Sequence, residues 1–198
     1  MAIKFKASPL SNAAIVNFAS QFRKILGLKA DAFVDIQKVL ELAMPRLDSS
    51  FNYSVREKAD MEVDAHAYTD PDNNEIVILD EIYDRVVEGH GRDRMTVAHE
   101  IGHYIFHNRQ LGVLTRVFPG DKVKTFEDPE WQATAFAGEF LCPAAAIKGL
   151  SIQEIAAKFG VSDGLYLNIW TNVTKQSIRW LIQTAVGGTP NSCLYFGA

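Results

Sequence analysis

Two histidines with a glutamate between them are the residues of this sequence best suited to chemistry. His99, Glu100 and His103 form an H-E-x-x-H motif, and the apolar residues around it recur at helical spacing. On an α-helix, residues four apart lie on one face, so both imidazoles point the same way. Two neutral imidazoles can bind one Zn²⁺ and leave room for a third ligand and a water. Glu100 would then lie beside the metal, where a general base belongs.

A zinc site of this type needs a third protein ligand, and His107 is the first candidate. His99 and His107 would lie about 12 Å apart along the helix axis, too far to share one ion with His103 between them. We therefore interpret His107 as the C-terminal residue of the helix, where it is favourable near the negative end of the dipole. Gly102 lies inside the same helix, which predicts close approach by another element.

Glu130 is the better candidate for the third ligand. Asp128 as an N-cap and Pro129 at the first helical position predict that a second helix starts here. Glu130 shares one face of that helix with Ala133 and Ala137, whose small side chains would allow close packing against the first helix. The alternative is that Glu130 is an acidic first-turn residue that complements the helix dipole.

The two segments together resemble the ImmA/IrrE-type zinc metallopeptidases, a family of H-E-x-x-H zincins. Residues 94–107 read RMTVAHEIGHYIFH and residues 130–143 read EWQATAFAGEFLCP. The sequence departs from the family pattern at Thr134, where Asn or Asp is usual, and at Phe140 and Cys142. We therefore expect a weaker polar contact to the site from position 134.

The resemblance implies that His99, His103 and Glu130 bind zinc and that Glu100 is the catalytic base. It further implies hydrolysis of a specific protein substrate, typically a transcriptional repressor or regulator, with the substrate added as a strand to a sheet edge beside the metal. The rival hypothesis is a non-catalytic, zinc-stabilised regulatory or interaction module. Glu100 distinguishes the two, because a structural zinc site does not need an unliganded carboxylate next to an open position.

Stabilisation of the oxyanion is not assigned by the sequence alone. Tyr83 and His90 both precede the H-E-x-x-H helix, and either side chain could donate such a hydrogen bond. A loop or core position is the plainer interpretation of each. His66 could line the site, but we expect it to be an exposed strand residue.

The composition is that of an ordinary globular protein. At 198 residues and 47% hydrophobic content, the chain can bury a core without disulfides or structural metals. A net charge of −4 gives no basic footprint for nucleic acid. Cys142 and Cys193 lack a C-x-x-C spacing, which favours a reducing compartment. No signal peptide or membrane-length apolar run is visible, so we expect a cytoplasmic protein.

The elements around the motif predict an α+β fold, a mostly helical zincin-like metallopeptidase domain with a small antiparallel sheet. Strands are predicted over residues 61–67 and 75–79 with a turn at 69–74, and a helix over 80–88. The helices upstream are expected over residues 12–26 and from Asp35 to near Pro45. The apolar side chains expected to face inward from the helix over residues 12–26 are Ala14, Ile15, Phe18, Phe22, Ile25 and Leu26. Those expected to face inward from the helix over residues 80–88 are Ile82, Val86 and Val87. Residues 108–127 are a candidate lid or substrate-binding loop, with disorder as the alternative.

The C-terminal part is predicted to be helical. Ser151 and Glu154 form a capping box for a helix that ends at Gly160, and residues 172–182 suggest a second helix. The first of these helices resembles the first half of a helix-turn-helix, but its separation from the second helix and the few basic residues favour a helical subdomain over DNA binding. We therefore divide the chain into a zincin-like metallopeptidase domain (1–148) and a C-terminal helical subdomain (149–198), which could form a single domain.

Overall fold

The computed structural model describes residues 5–108, 114–117 and 120–162. The helices in these ranges are α1 (Asn12–Ile25), α2 (Ile36–Lys38), α3 (Met44–Leu47), α4 (Asp80–Val87), α5 (Gly91–His107), α6 (Pro129–Leu141) and α7 (Ile152–Phe159). The strands are β1 (Phe5–Lys6), β2 (Asn52–Arg56), β3 (Ala67–Asp70), β4 (Glu75–Leu79) and β5 (Thr115–Arg116).

A three-stranded sheet with the order β2-β4-β3 lies beside the long helices. β4 is central, and Ile76, Val77, Ile78 and Leu79 are all buried, which explains a strand that is apolar without alternation. β3 pairs with β4 in antiparallel register, and β2 pairs with β4 in parallel. The predicted α+β fold class is confirmed, and the small sheet contains a parallel pair that the sequence did not indicate.

The strand predicted over residues 61–67 is wrong, because β3 runs over Ala67–Asp70 and shares only Ala67 with it. Residues 62–64 are exposed on both sides, so their alternation has no buried face to stabilise a strand. The second edge of β4 is instead taken by β2, with Tyr53 opposite Ile76. The turn is correspondingly shorter than predicted and includes Asn74 at φ 51°.

The close packing of α5 on α6 confirms the expectation drawn from small residues. A Cβ at Gly102 would lie 3.1 Å from the Cα of Ala133 and 3.1 Å from Cδ1 of Phe136. Ala133 and Ala137 are fully buried at this contact. The two helices can approach this closely only because these positions carry almost no side chain.

Helix α1 covers the α5–α6 pair through aromatic contacts, with ring centroids of Phe22 and Phe140 5.2 Å apart. Ser11 caps α1 by accepting a hydrogen bond from the backbone N–H of Ala14, as predicted. The predicted apolar stripe is partly wrong, because Ala14, Phe18 and Ile25 are exposed. The buried face of α1 is formed by Ile15, Ala19, Phe22 and Arg23.

Arg23 turns inward, and its guanidinium donates hydrogen bonds to three backbone carbonyls. Its Nη1 donates to the carbonyl of Phe140 at the end of α6 (2.5 Å). Its Nη2 donates to the carbonyls of Lys29 (3.0 Å) and Ala32 (2.5 Å). A single buried arginine therefore ties α1, the following loop and the C-terminus of α6 together.

The helical run that Asp35 caps ends at Leu47, two residues beyond Pro45 and so close to the predicted end, although Pro45 itself does not end it. A π-helical turn (Val39–Ala43) joins α2 to α3, which continues to Leu47. Pro45 lies in the first turn of α3, where the missing N–H is tolerated. Helix α4 forms as predicted, with Ile82 and Val86 buried four residues apart.

Val87 was predicted to face inward from α4, but it is 54% exposed. One residue beyond Val86, it is rotated by about 100° from the buried face of the helix.

Helix α7 packs against the start of α5. The capping box of Ser151 and Glu154 is present, and Gly160 ends the helix at φ 61°. Arg94 of α5 is buried and donates from Nη1 to the carbonyls of Phe159 (3.0 Å) and Gly160 (2.6 Å). The division at residue 148 stays a prediction. The second C-terminal helix, predicted over 172–182, lies outside the described residues.

Strand β5 lies in the segment predicted as a lid or substrate-binding loop, and it pairs with β1 in a two-stranded antiparallel ribbon. A short 3₁₀ turn (Thr125–Glu127) precedes α6 in the same segment. The functional interpretation of this segment stays a prediction. None of the helices in the described part of the chain is both long enough and apolar enough to cross a membrane.

Candidate metal centre

Helix α5 presents His99 and His103 on one face, as their spacing predicts. Their Nε2 atoms lie 2.9 Å apart, and their ring centroids lie 4.6 Å apart. Both side chains are mostly buried, with 20% and 16% of their surface exposed. The two imidazoles therefore converge on one point at the protein surface.

Helix α6 brings Glu130 to the same point. Asp128 caps α6 by accepting a hydrogen bond from the N–H of Glu130 (3.0 Å), and Pro129 occupies the first turn. The carboxylate of Glu130 lies 3.3 Å from Nε2 of His99 and 3.4 Å from Nε2 of His103. The close contacts with the His103 and His99 imidazoles hold the pKa of Glu130 well below its usual range, so this group is ionised at neutral pH.

The spacing of these three donors fits one divalent cation. Donor atoms bound tetrahedrally at about 2.0–2.1 Å lie about 3.3 Å from one another. The observed separations of 2.9, 3.3 and 3.4 Å match this edge length. Two imidazoles and a carboxylate are a ligand set that Zn²⁺ accepts in hydrolases. The group formed by His99, His103 and Glu130 could therefore hold a metal ion.

Glu100 lies beside the three donors without being one of them. Its side chain is buried, and its Oε2 accepts a hydrogen bond from the hydroxyl of Thr69 at 2.9 Å. Thr69 belongs to β3, so the sheet edge holds the carboxylate in place. Thr69 was missed by the sequence analysis, because it falls in a stretch that local signals assign to a turn.

The outer nitrogens of both histidines also have partners. Nδ1 of His99 lies 3.2 Å from Oγ1 of Thr134, an exposed contact. Position 134 thus keeps a polar contact to the site, although its residue departs from the family pattern. Nδ1 of His103 lies 3.0 Å from Nδ1 of His107.

His107 ends α5 as predicted, but its role near the helix dipole does not hold. Its side chain is buried, and it contacts Oε1 of Gln132 at 2.9 Å. Burial lowers the pKa of His107 to about 4, so at neutral pH it carries no charge to complement the dipole. Gln132 was also missed, although an amide in a run of small and apolar residues is a signal in hindsight.

The other candidates lie away from this centre. The hydroxyl of Tyr83 donates to Glu41, and Nε2 of His90 lies 3.1 Å from a carboxylate oxygen of Glu88. His66 is exposed, as expected, but it lies just before β3 and not in a strand. None of Tyr83, His90 and His66 lines the cleft that contains the donors. The prediction that Tyr83 or His90 stabilises an oxyanion therefore gains no support.

The donors open onto a cleft of about 980 Å³. One wall is formed by β3, including Tyr68 and Thr69, and another by Phe5 of β1 and by Leu114. Lys122 from the segment before α6 also lines it. The volume is within the range of clefts that bind ligands or short peptide segments.

A mostly helical α+β fold with this donor set on an open cleft defines a metallopeptidase-like domain. Residues 55–167, more than half of the chain, match a peptidase family described as the IrrE N-terminal-like domain. The chain belongs to the IrrE N-terminal-like domain family, which confirms the resemblance drawn from its motifs.

Comparison with individual proteins adds no further assignment. No curated protein matches the chain. The solved structures that match include a Mycobacterium tuberculosis transcriptional regulator, 16% identical with a TM-score of 0.46. That alignment covers 76% of this chain and 44% of the regulator, so the chain spans less than half of its length.

Proposed function

We propose that this protein is a zinc-dependent peptidase in which His99, His103 and Glu130 bind the metal and Glu100 is the general base. The observation that carries the proposal is the convergence of three donor atoms beside a carboxylate that is not among them. A zinc ion that only braced two helices would call for a closed set of four ligands. Membership in a peptidase family supports the same conclusion.

The metal ligands, Glu100 and Thr69 have separate roles in the proposed hydrolysis. Bound Zn²⁺ would polarise the peptide carbonyl and lower the pKa of a water toward about 7. Glu100 accepts a proton from the attacking water while the hydrogen bond from Thr69 keeps its carboxylate in place. The C–N bond then breaks as Glu100 returns that proton to the leaving amine. The products are a free carboxylate and a free amine.

The substrate we propose is a protein, bound as an extended segment along β3. Ala67, Tyr68 and Thr69 of β3 line the cleft next to the donors, and β3 is an edge strand of its sheet among the described residues. An edge strand offers unpaired backbone groups to a peptide. From the family resemblance we infer that the substrate is a transcriptional repressor or regulator. The isolated cysteines favour a cytoplasmic location.

The proposal is tested by comparing newly formed protein N-termini in cells that carry the wild type or Glu100→Gln. Glu127→Gln is the matched control, because it removes a neighbouring carboxylate outside the donor set. We expect a small set of N-termini present with the wild type and the control and absent with Glu100→Gln, which should still retain zinc.

Two outcomes would count against the proposal. Identical N-termini with the wild type and with Glu100→Gln would remove Glu100 as the base. Zinc binding without any wild-type-dependent cleavage would favour the non-catalytic zinc-stabilised module.

A further inference from the structure

A chain of polar contacts leads from His103 away from the donor set and ends on the backbone. Nδ1 of His103 lies 3.0 Å from Nδ1 of His107, and Nε2 of His107 lies 2.9 Å from Oε1 of Gln132. The amide nitrogen of Gln132 donates to the carbonyls of Ser8 (2.9 Å) and Phe126 (2.8 Å). Gln132 is 1% exposed and His107 is 5% exposed, so water does not compete for most of these hydrogen bonds.

The two backbone carbonyls that accept from Gln132 fix the direction of every hydrogen bond in this series of contacts. Two carbonyl oxygens accept only, so the Gln132 atom that faces them must be the NH₂ group, and Oε1 must face His107. Oε1 in turn accepts only, so Nε2 of His107 carries a proton and donates it. In a neutral imidazole the other nitrogen is then a bare acceptor, so Nδ1 of His103 must be the donor.

We propose that Gln132 and His107 are positioning residues that hold His103 in the tautomer with the proton on Nδ1 and the lone pair on Nε2. That lone pair points at His99 and Glu130, so His103 is set up as a metal ligand before any metal arrives. Partners on the outer nitrogen of a ligating histidine orient the ring and raise its basicity. The inference rests on the proposed metal role of His103.

The carbonyl of Phe126, one of the two that accept from Gln132, is itself held in place by a backbone hydrogen bond. The N–H of Ala7 donates to the carbonyl of Glu127 (2.8 Å), and the N–H of Leu10 donates to the carbonyl of Phe126 (2.9 Å). These two bonds hold the N-terminal segment against the turn that precedes α6. The N-terminal segment that supplies Phe5 to the cleft wall therefore also holds in place the series of contacts from Gln132 to His103.

The two histidine ligands differ in how firmly their tautomers are set. His99 has Thr134 on its outer nitrogen, and a hydroxyl can donate or accept. That contact is exposed, so water can replace it. Thr134→Val is therefore a matched control that removes one outer partner without touching the buried chain.

The direct test is long-range ¹H–¹⁵N NMR of the imidazoles in the metal-free wild type, above the pH at which free histidine protonates. We expect His103 to show a protonated Nδ1 and an unprotonated Nε2 as a single form. A proton on Nε2 of His103, or a mixture of both forms, would overturn the inference. This measurement needs no variant and does not depend on activity.

Three variants extend the test through zinc affinity, measured by competition with a chelator. His107→Phe removes the acceptor and should mix the tautomers of His103 and weaken zinc binding about 10–100-fold. His107→Asn keeps an acceptor near the Nδ1 position and should stay within a few-fold of the wild type, as should Thr134→Val. If His107→Phe does not fold, Gln132→Leu serves instead, with loss of the single tautomer expected.

The result also separates this inference from the proposed function. If the protein binds zinc but its metal-free form carries the proton on Nε2 of His103, the inference is contradicted and the peptidase proposal is unaffected. A fixed Nδ1 proton in a protein that does not bind zinc would sink the metal role. Equal zinc affinity of His107→Phe and the wild type would contradict the positioning role directly.

Discussion

The hydroxyl of Thr69 lies 2.9 Å from Oε2 of Glu100 and 3.0 Å from the backbone carbonyl oxygen of the same residue. A hydroxyl has one proton, so it can donate fully to only one of these oxygens at a time. The contact joins the edge strand β3 to the centre of α5. The position of the proposed general base is therefore set by the pairing of Thr69 with Ile76 in the sheet.

Replacing Thr69 by Val should impair catalysis without changing metal binding. The change removes the hydroxyl at nearly constant volume and leaves the Glu100 carboxylate without its donor. A hydrogen bond to a charged group contributes about 1.5–3 kcal/mol, so kcat/KM should fall about 10-fold or more. Zinc affinity should stay at the wild-type value, and Thr69→Ser should restore most of the activity. Full activity in Thr69→Val would show that the contact does not position Glu100.

Gly160 should tolerate substitution much less well than another glycine with the same backbone constraint. At φ 61°, a Cβ on Gly160 would collide with Nη1 of Arg94, which is bonded to the carbonyls at the end of α7. Gly149 has φ 81° and open space around it. A left-handed conformation alone costs about 1–2 kcal/mol, which is the loss expected for Gly149→Ala.

Gly160→Ala should lose about 3 kcal/mol or more, because displacing Arg94 adds the cost of unpaired buried groups. Urea unfolding of the two variants at the same pH measures the difference. Equal losses for Gly149→Ala and Gly160→Ala would mean that the Arg94 contact adds nothing.

Tyr104→Phe should destabilise the fold in a pH-dependent way. The hydroxyl of Tyr104 on α5 donates to Asp48 at 2.7 Å. This bond, with others from Ser50, lowers the pKa of Asp48. A carboxyl group with a lowered pKa in the folded state stabilises the protein above its unfolded pKa, and that contribution is lost as pH falls through the folded pKa.

The expected loss for Tyr104→Phe is about 1 kcal/mol at neutral pH, less than a fully buried charged bond because Asp48 is partly exposed. At a pH below the lowered pKa of Asp48 the difference from the wild type should shrink, since Asp48 is then protonated in both proteins. Urea unfolding at the two pH values tests this. A loss that is the same at both would show that the charge of Asp48 plays no part.

Local signals in the sequence predicted the elements that carry the site. The H-E-x-x-H spacing placed His99 and His103 on one face, and the caps at Ser11, Asp128 and Ser151 all form as expected. Each of these depends on residues within one turn of the chain. Such interactions can be read without knowing the fold.

Several of the features that escaped prediction depend on partners far away in the chain. Thr69 and Glu100 are 31 residues apart, and Arg94 meets the end of α7 across 65 residues or more. The parallel strands β2 and β4 are not joined by a tight turn, so no local signal in the sequence predicts their pairing. The strand predicted over residues 61–67 failed because alternation alone does not provide a buried face.

The central claim is that His99, His103 and Glu130 hold one divalent cation, and zinc titration by calorimetry tests it most directly. The wild type and Glu127→Gln should each bind one equivalent with the same affinity. Glu130→Gln should bind at least about 100-fold more weakly, because it loses a ligand rather than a supporting contact. Undiminished zinc affinity in Glu130→Gln, or no zinc binding by the wild type, would contradict the account.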